Sequence, residues 1–215
     1  MQTQIQPVDT LIHEGLAQKM KQQFRAPAYF VSSPDKLRQL QVLQGNKPVE
    51  YPYIFLNVQS WGAASDRYNS NRLARQGIPV RLAAGNNQYE LARIIPTNFE
   101  IEVTFVTNKY SGVTPDCVDA FARRWLFVRR NGAVNFTVNY GLTDLPVTYT
   151  IGESLSIPPR ESPIDQESVY QVVGNLTLQG YISEPVLGVR GRVSQIILSE
   201  AIPTTGKPGE KFFPF

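Results

Sequence analysis

Few side chains in this sequence are equipped for chemistry, and their numbers limit what kind is open to them. His13 is the only histidine and Cys117 the only cysteine, so one chain can form neither a histidine pair nor a thiolate metal cluster nor an internal disulfide. His13 lies on an amphipathic first helix with no orienting partner visible, which reads as a surface histidine. Cys117 falls in the first turn of a second expected helix, where the dipole would lower a thiol pKa; the commoner role there is a small buried residue. Asp144, Glu153, Glu161, Asp165 and Glu167 are spread through turns and linkers without the spacing of a cation loop, and Gly188-Val189-Arg190-Gly191 is too short for a phosphate loop. No catalytic group, metal or cofactor is expected from these residues.

The arginines are the densest functional signal. Between Trp61 and Arg93 stand Arg67, Arg72, Arg75, Arg81 and Arg93 against Asp66 and Glu90, so this stretch carries the whole formal charge of +3. As a nucleic-acid surface it would need interleaved aromatics, and Tyr68 and Tyr89 supply a little of that. The rival use is an arm that pairs with acidic patches on a neighbouring subunit. Several Asn, Gln and Ser residues accompany the cations, which favours subunit contact through Arg67, Arg72, Arg75 and Arg81. DNA contact is the lesser expectation. A second contact candidate is the C-terminal tail, residues 203–215, a flexible spacer ending in Phe212, Phe213 and Phe215. Apolar residues at an exposed end want a pocket on a partner.

The elements that must position these groups follow from periodicity. Phe99, Ile101, Val103 and Phe105 alternate with Glu100, Glu102 and Thr104, the period of a strand with one buried face. Thr114-Pro115-Asp116 reads as a helix start, with a hydroxyl cap, proline at the first position and a carboxylate at the positive end of the dipole. Val118, Phe121, Ala122, Trp125 and Leu126 then form an apolar stripe, with Arg123, Arg124, Arg129 and Arg130 off it, and Asn131-Gly132 ends the helix. Val134 to Tyr140 and Leu145 to Ile151 alternate as a hairpin, and residues 169–182 as one long strand in which Gly174 and Gly180 mark a bulge or a close approach to another backbone. Upstream, Asp9 or Thr10 caps a helix bearing Ile12, Leu16, Met20 and Phe24, followed by a strand at 28–31, a brief helix bearing Leu37, Leu40 and Leu43, and a strand at 51–58. Residues 60–93 show no clear element, apart from strand potential on either side of Gly85-Asn86-Asn87, and read as a long functional loop.

The fold class is therefore α+β: a mixed, mainly antiparallel sheet with one long helix packed on it, an N-terminal helix, a long loop and an extended tail. Residues 1–202 are expected to form one domain. A composition of 42% hydrophobic and 18% charged residues argues against disorder and suits a protein that hides surface in an assembly. No long apolar run suggests a membrane span or a signal segment, and a lone cysteine suits a reducing compartment.

The order of a first helix and strand, Glu50-Tyr51-Pro52-Tyr53-Ile54-Phe55-Leu56, Pro96-Thr97-Asn98-Phe99-Glu100 opening a strand, a helix closing with Arg123-Arg124-Trp125-Leu126, and a late strand at 170–181 resembles structural proteins of large tailed bacteriophages. It is similar in particular to tail-terminator and neck, or tail-completion, proteins, over roughly residues 9–182. The resemblance implies a non-enzymatic virion component, assembled in the host cytoplasm. In such proteins a small mixed sheet flanked by helices forms a ring with copies of itself and meets tail tube, sheath or neck proteins. It brings no catalytic residues. A baseplate wedge component is the alternative within that class, and a nucleic-acid binder using the arginine-rich loop the alternative outside it.

Overall fold

The computed structural model describes residues 7–30, 51–70, 78–81, 89–112, 114–141, 143–157, 169–183, 197–198 and 211–212. In chain order these form α1 (Val8–Phe24), β1 (Ala28–Phe30), β2 (Tyr53–Ala63), α2 (Ser65–Ser70), β3 (Ile78–Arg81), β4 (Tyr89–Ala92), β5 (Ile94–Thr107), α3 (Val118–Arg130), β6 (Val134–Tyr140), β7 (Thr143–Ser156), β8 (Tyr170–Ser183), β9 (Ile197–Leu198) and β10 (Lys211–Phe212). The fold is α+β. Six strands make one sheet in the order β1-β2-β5-β8-β7-β6, while β3 with β4 and β9 with β10 form two short antiparallel pairs. Only β1 and β2 run parallel within the large sheet. The brief helix expected at Leu37 to Leu43 and the proline-rich linker at 158–163 lie outside the described residues.

The sheet is built around the pair β5 and β8. All fourteen residues of β5 pair with β8, from Ile94 opposite Ser183 to Thr107 opposite Tyr170. Phe99, Ile101, Val103 and Phe105 are buried on one face, as their alternation requires, and Val172, Leu176 and Leu178 of β8 join them in one core. That core takes in α1 through Val8, Ile12, Leu16, Met20 and Phe24, each almost fully buried. Burying an aliphatic or aromatic side chain of this size contributes about 1.5–3 kcal/mol before ordering costs, so these five are a large part of what fixes the helix.

Helix α1 touches both outer strands of the sheet as well as β8 near its middle. The His13 ring stacks on Phe30 of β1 with centroids 4.2 Å apart, and Gly15 sits against Phe136 of β6. Across a flat sheet the outer strands would stand roughly 24 Å apart, five spacings of about 4.8 Å, twice the diameter of a helix with its side chains. The sheet therefore curls around α1.

Helix α3 lies on the same concave face. Phe121 stacks on Phe105 at 4.3 Å and meets Phe24 at 4.9 Å, and Trp125 meets Phe24 at 5.9 Å. Trp125 is fully buried, and its indole N–H donates to the Gly152 carbonyl at 3.1 Å. Gly152 lies in a break in the β7–β8 register between Ile151 and Leu155. Gly174 does pack closely, as its type suggested, but against a ring rather than a backbone: a Cβ there would stand 2.6 Å from Trp125 Cζ2 and 2.8 Å from Leu155 Cδ2.

Several boundaries depart from the sequence reading. α3 begins at Val118 with Cys117 as its N-cap, three residues after the expected start. The Asp116 carboxylate is held by Lys109 Nζ at 2.6 Å, and the N–H groups of Val118 and Asp119 donate to the Lys109 and Tyr110 carbonyls. The loop after β5 thus caps the helix, and the Thr-Pro-Asp turn is spent on holding that loop. Leu126, expected in the buried stripe, is 57% exposed; the stripe centres on Val118, Phe121 and Trp125, and Leu126 lies about 100° round the helix from Trp125. α1 starts at Val8 after Pro7, with no side-chain cap from Asp9 or Thr10. The stretch 60–93 is not without elements: β2 runs on to Ala63 through a bulge between Val58 and Ser60, and α2 and the β3–β4 pair follow. β3 and β4 add Ile78 and Ala92 to the main core.

Replacing Gly174 by alanine forces a methyl group into the Trp125 ring, so Gly174→Ala should lower the unfolding free energy by about 1–3 kcal/mol in urea titration. Gly180→Ala should cost less, because its nearest neighbour is the terminal Cδ1 of Ile12 at 3.2 Å.

Candidate interaction surface

Of the arginines proposed for contact, Arg67 is the one whose side chain is described, and it is used within the chain. It stands in α2, which the turn at Ala64 launches where β2 leaves the sheet; the Ala64 N–H donates to the Pro96 carbonyl at 2.8 Å and the Arg67 N–H to the Ala64 carbonyl at 3.1 Å. The guanidinium Nη2 donates to the carbonyls of Thr97 at 3.0 Å and Gly180 at 3.2 Å and to Asn98 Oδ1 at 3.3 Å. Its carbon lies 5.8 Å from the Tyr181 ring centroid. Thr97 and Gly180 are partners across β5 and β8, so Arg67 ties α2 to both central strands. A charge with several carbonyl acceptors and an aromatic face is a structural anchor. Arg81 pairs with Tyr89 across β3 and β4, and Phe212 with Ile197 across β10 and β9. Arg72, Arg75, Phe213 and Phe215 lie outside the described residues.

His13 is half-buried rather than a free surface residue. Its ring lies between Phe30 and Phe99, edge-on to the latter at 5.8 Å, and Nε2 is buried with no hydrogen-bond partner among the described residues. Burial pushes its pKa below the ordinary 6.5, and the Asp9 carboxylate one turn earlier opposes this only in part. Cys117 is buried, with Sγ 3.4 Å from the Thr114 carbonyl and 3.6 Å from that of Gly112. The Tyr149 hydroxyl, its pKa raised by burial, donates to Gln23 Oε1 and links β7 to α1. Among the described residues no three His, Cys, Asp or Glu side chains are grouped to hold a metal, and no helix is long and apolar enough to cross a membrane.

The other face of the sheet carries a second apolar cluster over β1, β2 and β5, where Tyr53, Phe55 and Val106 are buried with Tyr29, Tyr51 and Val169 against them, and elsewhere short polar pairs. Thr177 donates to both oxygens of Glu100 at 3.1 and 3.2 Å, and Thr148 donates to Asn135 Oδ1 at 2.7 Å. Cross-strand pairs of this kind stabilise a solvated sheet face.

What remains exposed and apolar lies elsewhere. Trp61 near the end of β2, Tyr110 after β5, Leu126 and Phe127 on α3, and Ile157 after β7 are between 48% and 64% exposed. Phe127, 64% exposed, went unmarked in the sequence reading; a helical wheel centred on Val118, Phe121 and Trp125 exposes it. Asp119, Arg123, Leu126, Phe127 and Arg130 follow one another at i, i+4, i+7, i+8 and i+11 along the outer side of α3. Arg129, by contrast, pairs with Glu153 of the β7 break. No family model matches the chain, and no curated protein matches it.

Two outcomes follow. Because Arg67 anchors α2, both Arg67→Lys and Arg67→Met should lower the midpoint of urea unfolding, with a loss of unfolding free energy of about 1.5–3 kcal/mol for the methionine variant. A purely intermolecular Arg67 would leave the midpoint untouched. For His13, the unfolded chain takes up a proton as pH falls through 6.5 while the folded chain resists it, so stability declines below that pH. His13→Phe keeps the ring stack and should flatten the difference in thermal midpoint between pH 7.5 and pH 5.5, both set near the about 6.5 reference.

Proposed function

We propose that this protein is a non-enzymatic structural subunit, a tail-terminator or neck component of a tailed-phage particle, working as a ring of identical copies. The observation that carries the reading is the set of five large apolar side chains, Trp61, Tyr110, Leu126, Phe127 and Ile157, left about half to two thirds exposed. Scattered single exposures are ordinary, but adjacent exposed Leu126 and Phe127 on a rigid helix make a contact surface. The curled sheet with α1 and α3 in its concave face supports a wedge-like subunit. The low share of charged residues, 18%, agrees with a chain that covers part of its surface in an assembly.

Light scattering on the purified chain tests the ring. A discrete multiple of the 24.1 kDa chain mass, stable on dilution, is the expected result. A mass that stays at one chain at every concentration removes the ring reading.

A further inference from the structure

We infer that the outer face of α3 is a self-complementary contact that joins two copies of this chain through antiparallel α3 helices about a two-fold axis. The inference rests on the assembly reading and adds a pairing contact to it: a two-fold contact closes at two copies, so it joins subunits of two rings and leaves the contacts around each ring to other surfaces. The stripe Asp119, Arg123, Leu126, Phe127 and Arg130 has its acid in the first turn of the helix and a cation in the last. Its apolar pair lies between Arg123 and Arg130. Among the described residues no ion pair or side-chain hydrogen bond engages Asp119, Arg123 or Arg130, whereas Arg129 on the next flank is taken by Glu153.

Turned end for end, the stripe matches itself. With Asp119 of one copy beside Arg130 of the other, the same pair recurs at the far end of the contact, as a two-fold axis requires. Leu126 and Phe127 of both copies then meet near the axis, over the aliphatic stem of Arg123. A parallel arrangement would instead align like charges. Antiparallel packing also sets the positive end of each helix dipole beside the negative end of the other.

The rest of the fold presents this face. Trp125 and Phe121 seat the opposite side of α3 in the core, so the stripe is held on a rigid support. A thirteen-residue helix is about 20 Å long and about 10 Å across, so one face of it buries less than a standard interface of roughly 1,200–2,000 Å². The pair is accordingly a weak, concentration-dependent contact between copies.

The test is sedimentation and light scattering over a range of protein concentrations on the full chain and four variants. Phe127→Ser, at an exposed position, should keep the thermal midpoint and raise the dissociation constant of the pair at least about tenfold. Asp119→Arg alone and Arg130→Asp alone should each weaken association, and the double variant Asp119→Arg with Arg130→Asp should restore it, because the exchanged charges again meet across the axis. Far-ultraviolet circular dichroism confirms that α3 persists in each. A wild-type chain that stays a monomer overturns both this inference and the ring. An oligomer whose mass and affinity ignore Phe127→Ser overturns the inference alone and leaves the ring to other contacts. Loss with Phe127→Ser but no rescue by the double exchange overturns the antiparallel pairing.

Discussion

The structure depends on one constraint: a single helix must satisfy both outer strands of a six-stranded sheet. α1 inserts Val8, Ile12, Leu16, Met20 and Phe24 into the core while flanking residues reach β1 on one side and β6 on the other. A flat sheet cannot meet a helix in that way, so the apolar surface of α1 and the right-handed twist of the strands together impose the curl. Small residues permit the closeness. Gly15 brings α1 onto the Phe136 ring, and Gly180 makes room for Ile12. At the rim of this contact His13 fills the space between β1 and β5 with a neutral ring.

α3 completes the concave layer by a different route. Its seat is aromatic, a cluster of Phe24, Phe105, Phe121 and Trp125 that joins α1, β5 and α3. One polar bond, from the Trp125 indole to Gly152, fixes the helix against the break in β7. Since a buried indole N–H left unpaired would be costly, this bond sets rotation as well as depth. The rotation turns Leu126 and Phe127 to the outside. Core packing and exposed surface are thus two sides of one choice, and any partner that binds α3 meets a face whose orientation the core has decided.

The arginine-rich stretch illustrates how context reassigns a charged residue. Read along the chain, Arg67 is one of five cations in a stretch without a clear period. In the fold its guanidinium lies over β5 and β8 and satisfies the carbonyls of Thr97 and Gly180, more than eighty residues apart in sequence. The planar fork of arginine suits that geometry. Pairing of β3 with β4 likewise draws Ile78 and Ala92 into the main core.

By itself the sequence determined the α+β class, the strands at β5, β6, β7 and β8, and the two principal helices, because period-two and period-3.6 patterns are local and strong. It also determined that one histidine and one cysteine cannot make a cluster within one chain. Tertiary structure alone decided where α3 begins, since its first N–H groups bond to carbonyls of a loop nine residues earlier. It decided that Leu126 faces out and His13 faces in, since a stripe fixes a helix only to within a turn of its axis until a sheet is laid against it. It gave Gly174 its purpose, the Trp125 ring, through a contact between residues forty-nine apart in the chain. Long-range partners of this kind leave no period behind, and that is why the elements were legible while the contact surface was not.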